Sequence, residues 1–277
     1  MGVRGKRQFI LKRPLIMSKQ RKTNTGAASS HKAPAEPIPV RRYVLVDIAR
    51  GIAIALMFVY HFTFDLNHFG VVAFDFNTDI RWLGFRAVIV SLFSGLVGVS
   101  LVLGPGRKLD WNRYGKRLLA VGACAALAST GSYFMFPKTF IFFGILHFIF
   151  VASVFGLAFL RFTWLNLILG ATLIVFGATI KLAFFDQPAL QWIGMMTRKP
   201  YTEDYVPLLP WFGVVLIGMF LARRAEAHGV FEKYSRIGFL NPVAKLLAFG
   251  GRHSLIIYLM HQPIFIGLLS LILGRAP

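Results

Sequence analysis

Hydrophobic residues along this chain fall into seven long runs that are separated by shorter polar segments. A helix that crosses the hydrocarbon core of a bilayer needs about 20 consecutive, mostly apolar residues, and most of the runs approach or exceed that length. The runs lie at about 43–62, 82–103, 117–136, 139–160, 163–184, 207–222 and 254–273. This pattern predicts an all-α fold, a polytopic transmembrane bundle of about seven helices.

The composition supports a membrane protein and excludes an ordinary soluble domain, because 56% of the residues are hydrophobic and only 15% are charged. The segment "TNTGAASSHKAPAEPIPV" is small, polar and rich in proline, without apolar periodicity. We therefore predict a disordered basic cytoplasmic tail at 1–40 and a transmembrane domain at 41–277. Met17 is a candidate alternative start, which N-terminal sequencing of the native protein would test.

The charge of the chain is strongly basic, with a formal net charge of +20. Lysines and arginines concentrate before the first run, between the second and third runs, and between the sixth and seventh runs. The positive-inside rule then places the N-terminus in the cytoplasm and the C-terminus outside, as seven spans require. In so apolar a chain, these cations indicate a lipid bilayer as the partner rather than nucleic acid.

Ionisable residues interrupt the first run and its continuation, "DIARGIAIALMFVYHFTFDLNHFG". On one helix they fall within an arc of about 60°, since each residue advances the helix by about 100°. Such a polar edge must face protein or a water-filled cavity, because lipid exposure of a charge is costly. The residues are Asp47, Arg50, His61, Asp65 and His68.

Two pairs on this edge have spacings that allow direct contact. Asp47 and Arg50 are i, i+3 neighbours, which fits either a structural ion pair or the mouth of a cytoplasmic cofactor site. Gly51 beside them allows another helix to approach closely. His61 and Asp65 are i, i+4 neighbours, so the carboxylate can orient the imidazole as a general base, or the pair can be purely structural.

Three later segments carry further polar residues at membrane depth. His147 lies in "FGILHFIF", at a depth where it can meet His61. In "HSLIIYLMHQP", Ser254, Tyr258 and His261 share one helix face, and Gln262 follows. His253 lies at the cytoplasmic entry of that helix, and Asp204 in "EDYVPLLPW" lies at the outer mouth of the sixth run, where it can cap the helix or contact substrate.

Together these segments resemble the bacterial branch of the heparan-α-glucosaminide N-acetyltransferase catalytic-domain family. The similarity is carried by "RRYVLVDIARGIAIALMFVYHFTFDLNHFG", "FGILHFI", "DYVPLLPWFGVVLIG" and "HSLIIYLMHQP", and it extends over about residues 40–273. It implies a transmembrane acyltransferase that takes acetyl-CoA from the cytoplasm and acetylates an amino sugar on the far side. A histidine just after the first helix is implicated in transfer in the lysosomal member, and His61 or His68 matches it.

The resemblance implies binding partners, a cellular location and roles for the polar residues. The bilayer, an acyl-CoA and a carbohydrate acceptor are the expected partners, a homodimer is possible, no metal or haem is expected, and the bacterial inner membrane is the expected location. Basic residues 107, 108, 113, 116 and 117 are candidates to hold the CoA phosphates. The predicted catalytic residues are His61, Asp65, His68, His147 and His261; the predicted cofactor-binding residues are Asp47, Arg50, His253 and Ser254; the predicted substrate-binding residues are Asp204 and Gln262.

The mechanism that these residues suggest is direct transfer. His61, oriented by Asp65, removes a proton from the acceptor hydroxyl or amine as that group attacks the thioester. His147 or His261 then donates to the developing oxyanion. An acetyl-imidazole intermediate is the ping-pong variant.

Three other functions fit parts of the same pattern. Histidine and aspartate chains inside membranes serve as proton relays in transporters, although the sequence shows no inverted repeat. Histidines on facing helices can ligate haem b, which a Soret band would reveal. The polar edge can also serve only to pack the helices of a structural membrane protein.

Overall fold

Seven helices in the described part of the chain overlap the seven predicted runs, although their ends differ from the predicted ones by up to six residues. The computed structural model describes residues 2, 43–106, 109–234 and 241–274, so the predicted tail at 1–40, apart from Gly2, lies outside the described residues. The helices within these ranges are α1 (Val44–His68), α2 (Ile80–Leu103), α3 (Trp111–Met135), α4 (Ile145–Gly156), α5 (Trp164–Thr179), α6 (Leu208–Ala227), α7 (Val230–Lys233), α8 (Pro242–Arg252) and α9 (Ser254–Leu273).

Five of these helices are long and apolar enough to cross a membrane, namely α1, α2, α3, α6 and α9. The apolar helices α4 and α5 are shorter, and α4 continues into a 3₁₀ turn at Leu157–Phe159. The described residues form no β-strand. The predicted all-α transmembrane bundle is therefore confirmed, whereas the count of seven spans and the placement of the termini stay predictions. We refer below to the two ends of α1 as the Asp47 end and the His68 end.

Glycines bring α6 into backbone contact with α2 at the centre of the bundle. A Cβ atom on Gly98 of α2 would overlap the carbonyl oxygen of Val215, and one on Gly218 of α6 would overlap that of Gly95. The segment "FSGLVGVS" carries small residues at the spacing that lets helices approach closely, and the structure identifies α6 as the partner.

Substitution of Gly98 tests this contact. We expect Gly98→Ala to lower the melting temperature in detergent, because overpacking costs about 1–3 kcal/mol. Gly84→Ala, on the same helix, is the matched control, since a Cβ atom there meets nothing within 4 Å. The control should be neutral or slightly stabilising, because alanine favours helix by about 1 kcal/mol over glycine. Equal melting temperatures for the two variants would contradict the close α2–α6 packing.

Helix α8 lies in a segment that the sequence analysis treated as a basic connecting loop. Asn241 caps it by accepting the Val243 N–H at 2.8 Å, and Pro242 occupies its first turn. It packs along the Asp47 end of α1 so closely that a Cβ atom on Gly51 would overlap the Leu247 carbonyl group. The predicted close approach at Gly51 is confirmed. The helix itself was missed because its 11 residues are too few for a span.

The chain reverses direction between α8 and α9, and this reversal positions the candidate site. Leu247 of α8 lies beside Gly51 and Gly251 lies beside Asp47, so α8 runs antiparallel to α1. Helix α9 then runs back along α1, from the turn at His253 to the His68 end. The segment that follows the reversal thus carries its polar residues along the polar edge of α1.

Candidate active site

Two histidines meet where α9 passes the polar edge of α1. The ring centroids of His61 and His261 lie 5.0 Å apart with an interplanar angle of 67°, and the His261 residue is only 5% exposed. The rings of Phe58 and Phe265 pack against His261 at centroid distances of 5.8 and 5.9 Å. The structure therefore brings a predicted catalytic pair together in an apolar surrounding.

A backbone carbonyl determines which nitrogen of His261 carries the hydrogen. The Nδ1 atom of His261 lies 2.5 Å from the carbonyl oxygen of Tyr258. A carbonyl oxygen only accepts hydrogen bonds, so Nδ1 donates, and in the neutral imidazole Nε2 then carries the lone pair. This Nε2 atom is buried and has no hydrogen-bond partner among the described residues. His261 therefore presents an unengaged basic nitrogen inside the bundle.

His147 lies apart from this pair, in a contact with α3. Its Nε2 atom is 3.1 Å from the Ser129 hydroxyl oxygen, and its Nδ1 atom accepts the Gly144 N–H at 3.3 Å. The sequence places His147 at a depth where it can meet His61, but in the structure the histidine that meets His61 is His261.

Asp65 makes its hydrogen bond to α9. Its Oδ1 atom accepts the side-chain N–H of Gln262 at 2.6 Å, and the Asp65 residue is 2% exposed. The other Asp65 oxygen and the Gln262 side-chain oxygen are both buried, with no partner among the described residues. The expected hydrogen bond from His61 to Asp65 is therefore replaced by one from Gln262, because α9 supplies an amide beside the carboxyl group. Gln262, predicted to bind substrate, is engaged with Asp65.

Asp204 joins three parts of the structure through one oxygen atom. Its Oδ2 atom accepts the backbone N–H of Ile145 at 2.8 Å and the hydroxyl group of Tyr258 at 3.2 Å. A Cβ atom on Gly144 would overlap this oxygen, so only glycine allows the contact. Burial raises the pKa of the Asp204 carboxyl group, while the two hydrogen bonds act to lower it.

These contacts revise what the sequence indicated about Asp204 and Tyr258. Asp204 was expected to cap α6 or to contact substrate, whereas it caps the N-terminus of α4. Tyr258 had been noted only for sharing a helix face with His261. The structure gives Tyr258 two tasks, since its hydroxyl group bonds Asp204 and its carbonyl group bonds His261.

His68 lies separately, in the last turn of α1, where it is exposed. It lines a cleft of about 660 Å³ together with Phe64, Asn67, Phe74 and Asp75. The loop around the cleft is ordered by side-chain bonds, since Asn67 accepts the Phe74 N–H at 2.7 Å and Asp75 accepts the Thr78 N–H at 2.9 Å. His68 thus faces an open cleft while His61 and His261 lie inside the bundle.

The predicted cofactor residues lie at the Asp47 end. Arg50 donates to Asp47 at 3.2 Å and to the Ser100 hydroxyl oxygen at 2.6 Å, which confirms the predicted ion pair and extends it to α2. Arg117 of α3 interacts electrostatically with Arg50. About 21 Å of helix separates Asp47 from His61, because each residue adds about 1.5 Å.

The other predicted cofactor and phosphate ligands are less tightly held. His253 is exposed at the turn between α8 and α9, where its ring centroid lies 4.5 Å from that of Phe249 in a tilted arrangement, and Ser254 begins α9. Arg113 and Lys116 are exposed on α3, whereas residues 107 and 108 lie outside the described residues. In the described part of the chain, no group of three or more His, Cys, Asp or Glu residues is arranged to hold a metal ion.

Comparison with known proteins agrees with the resemblance seen in the sequence. The family model described as "Heparan-alpha-glucosaminide N-acetyltransferase, catalytic" matches residues 42–263, which is most of the chain. No curated protein and no solved structure gives a significant match. The matched range includes α1, the turn at His253, and Asp65, His261 and Gln262. The chain therefore belongs to the heparan-alpha-glucosaminide N-acetyltransferase catalytic family.

Proposed function

We propose that this integral membrane protein transfers an acetyl or other acyl group from an acyl-CoA to a sugar-type acceptor. The observation that carries the proposal is the imidazole pair of His61 and His261, in which the buried His261 has an unengaged Nε2 atom. Acyl transfer to a hydroxyl or amine needs such a nitrogen, because the nucleophile must lose a proton as it attacks. Membership of an acetyltransferase family supports this chemistry.

His261 is the general base in this mechanism. Its Nε2 atom takes the proton from the acceptor as the acceptor oxygen or nitrogen forms a bond to the thioester carbonyl carbon. The carbon–sulfur bond then breaks and CoA leaves as its thiolate, which is protonated to the thiol. His61, 5.0 Å away between ring centroids, is placed to donate a hydrogen bond to the oxyanion. The roles of the two histidines are thus exchanged relative to the sequence-based hypothesis.

We propose that the two ends of α1 bind different substrates. The Asp47 end, with Arg50 and the exposed cations of α3, receives the CoA phosphates, since arginine suits phosphate recognition. The flexible pantetheine arm then leads the thioester toward the histidines. The cleft beside His68 receives the acceptor. With the predicted topology, the donor enters from the cytoplasm of a bacterial inner membrane and the acceptor binds at the outer face.

A transfer assay with purified protein tests the proposal. We expect acetyl-labelled acetyl-CoA to release CoA thiol, and the label to appear on a member of an acceptor panel of hexosamines, neutral hexoses and polysaccharides. Label and thiol should form in equal amounts, because one thioester bond breaks for each bond formed. Arg113→Gln together with Lys116→Gln should raise the KM for acetyl-CoA and leave the KM for the acceptor unchanged. Equal effects on both KM values would contradict the assignment of the two ends.

A further inference from the structure

The hydrogen bond between Asp65 and Gln262 leaves two oxygen atoms unexplained. Gln262 donates one hydrogen to Asp65 Oδ1 at 2.6 Å. Asp65 Oδ2 and Gln262 Oε1 are buried and have no partner among the described residues. Both atoms are acceptors when the carboxyl group is ionised, so neither can satisfy the other. Buried polar atoms in folded proteins are almost always hydrogen-bonded, and two neighbouring exceptions need a common explanation.

The surroundings of Asp65 disfavour a negative charge. Asp65 is 2% exposed, and the described residues give it no ion pair with a lysine or arginine. The other acid that acts on it electrostatically is Glu203, from the segment before α6. The titratable groups on the neighbouring turns of α1 and α9 include His61, His68 and His261. A buried carboxylate without a cationic partner is costly, and such groups tend to take up a proton instead.

We propose that Asp65 is a neutral carboxylic acid that forms a two-bond pair with Gln262. A proton on Oδ2 converts that oxygen into a donor, and the orphan Gln262 Oε1 atom is its acceptor. Planar carboxylic acid and amide groups form such cyclic pairs readily, because donor and acceptor alternate on each. One proton therefore satisfies both buried oxygen atoms and removes the buried charge.

Asp65 is then a positioning residue in the acyl transfer proposed above. The pair ties α1 to α9 next to the imidazoles, and the catalytic part of this inference rests on the proposed function. With Asp65 neutral, no charge on this carboxyl group holds His61 or His261 as an imidazolium ion. Asp204, which also acts electrostatically on His261, is engaged by the Ile145 N–H and the Tyr258 hydroxyl group. An uncharged imidazole is the form that a general base requires.

Infrared spectroscopy of the resting protein tests the protonation without relying on activity. We expect wild-type protein at neutral pH to show the carbonyl stretch of a buried protonated carboxylic acid, and Asp65→Asn to lack it. Glu232→Gln is the control, because Glu232 is exposed and its change should leave the band intact. A wild-type spectrum in which Asp65→Asn removes only a carboxylate band would overturn the proposal.

Melting temperatures and transfer rates test the positioning role. Asp65→Asn keeps both hydrogen bonds as an amide–amide pair, so it should retain the melting temperature and transfer within a few-fold of wild type. Asp65→Ala removes both hydrogen bonds, so its melting temperature and its rate of transfer should both fall. If Asp65→Asn folds normally but loses activity as fully as Asp65→Ala, the carboxyl group acts as an acid, a base or a carboxylate and the positioning role is wrong. Failure of wild-type protein to transfer acyl groups refutes the proposed function but leaves the infrared result decisive for the pair.

Discussion

Replacing His261 with alanine is expected to lower the rate of acyl transfer by about 10²–10⁴-fold, the usual contribution of a positioned general base. The expectation rests on the bond from its Nδ1–H to the Tyr258 carbonyl group, which leaves Nε2 as the proton acceptor. The KM values should change less than kcat, because the lost interaction belongs to the transition state. Steady-state assays with acetyl-CoA as donor provide the measurement.

Two other histidine variants show whether the effect is specific. His228→Ala is the matched control, since His228 is exposed at the end of α6 and its Nε2 atom lies 3.3 Å from the Arg224 guanidinium group. It should leave transfer unchanged. His61→Ala should reduce kcat by a smaller factor, as expected for one oxyanion donor among several. A full loss in His61→Ala combined with near-normal activity in His261→Ala would reverse the assignment of the base.

Asp204→Ala is expected to cause the largest loss of stability among the site variants. The substitution leaves the Ile145 N–H and the Tyr258 hydroxyl group without their acceptor, at a cost of about 1–3 kcal/mol for each buried group. It also frees Tyr258, whose carbonyl group orients His261, so transfer should fall as well. Thermal unfolding in detergent and the transfer assay measure the two effects.

Asp204→Asn separates the hydrogen bonds from the charge. The asparagine side-chain oxygen can still accept from Ile145 and Tyr258, so this variant should lose much less stability than Asp204→Ala. Burial raises the pKa of the Asp204 carboxyl group, which disfavours its charged form, so an uncharged amide is a suitable replacement. If the two variants unfold at the same temperature, the capping of α4 is not the reason that Asp204 matters.

The features that the sequence predicted well depend on local spacing or on average composition. The Asp47–Arg50 pair follows from an i, i+3 spacing on one helix. The close contacts at Gly51 and Gly98 follow from small residues within apolar helices. The places of the long helices along the chain follow from the apolar runs, whose length is set by the thickness of the bilayer, although several helix ends differ by up to six residues.

The features that were missed depend on which helices become neighbours. Asp65 bonds Gln262 across 197 positions of the chain, whereas the sequence offered His61 one turn away. Asp204 caps a helix that begins 59 positions earlier, rather than the helix that follows it. Local spacing shows which bonds are possible, but packing decides which are made. Helix α8 was missed for another reason, since an 11-residue amphipathic segment resembles a charged loop when only net charge is considered.

The imidazole pair lies between the two regions in which we propose that the substrates bind. The site lies within the bundle, between a cationic Asp47 end and a cleft of about 660 Å³ at the His68 end. The proposed transfer from a large anionic donor to a polar acceptor across a bilayer needs separate binding regions for the two substrates. It also needs a basic nitrogen between them, and His261 meets that need.

A binding measurement with acetyl-CoA and the purified protein is the most direct test of the proposed acyl transferase. A ligand that binds only the folded state stabilises it by RT ln(1 + [L]/Kd), about 2.7 kcal/mol at a hundredfold excess over Kd. We expect acetyl-CoA to raise the melting temperature of the wild-type protein clearly. The rise should be smaller when Arg113 and Lys116 are both changed to glutamine. An unchanged melting temperature at millimolar acetyl-CoA, in well-folded protein, would contradict an acetyl-CoA-dependent transferase.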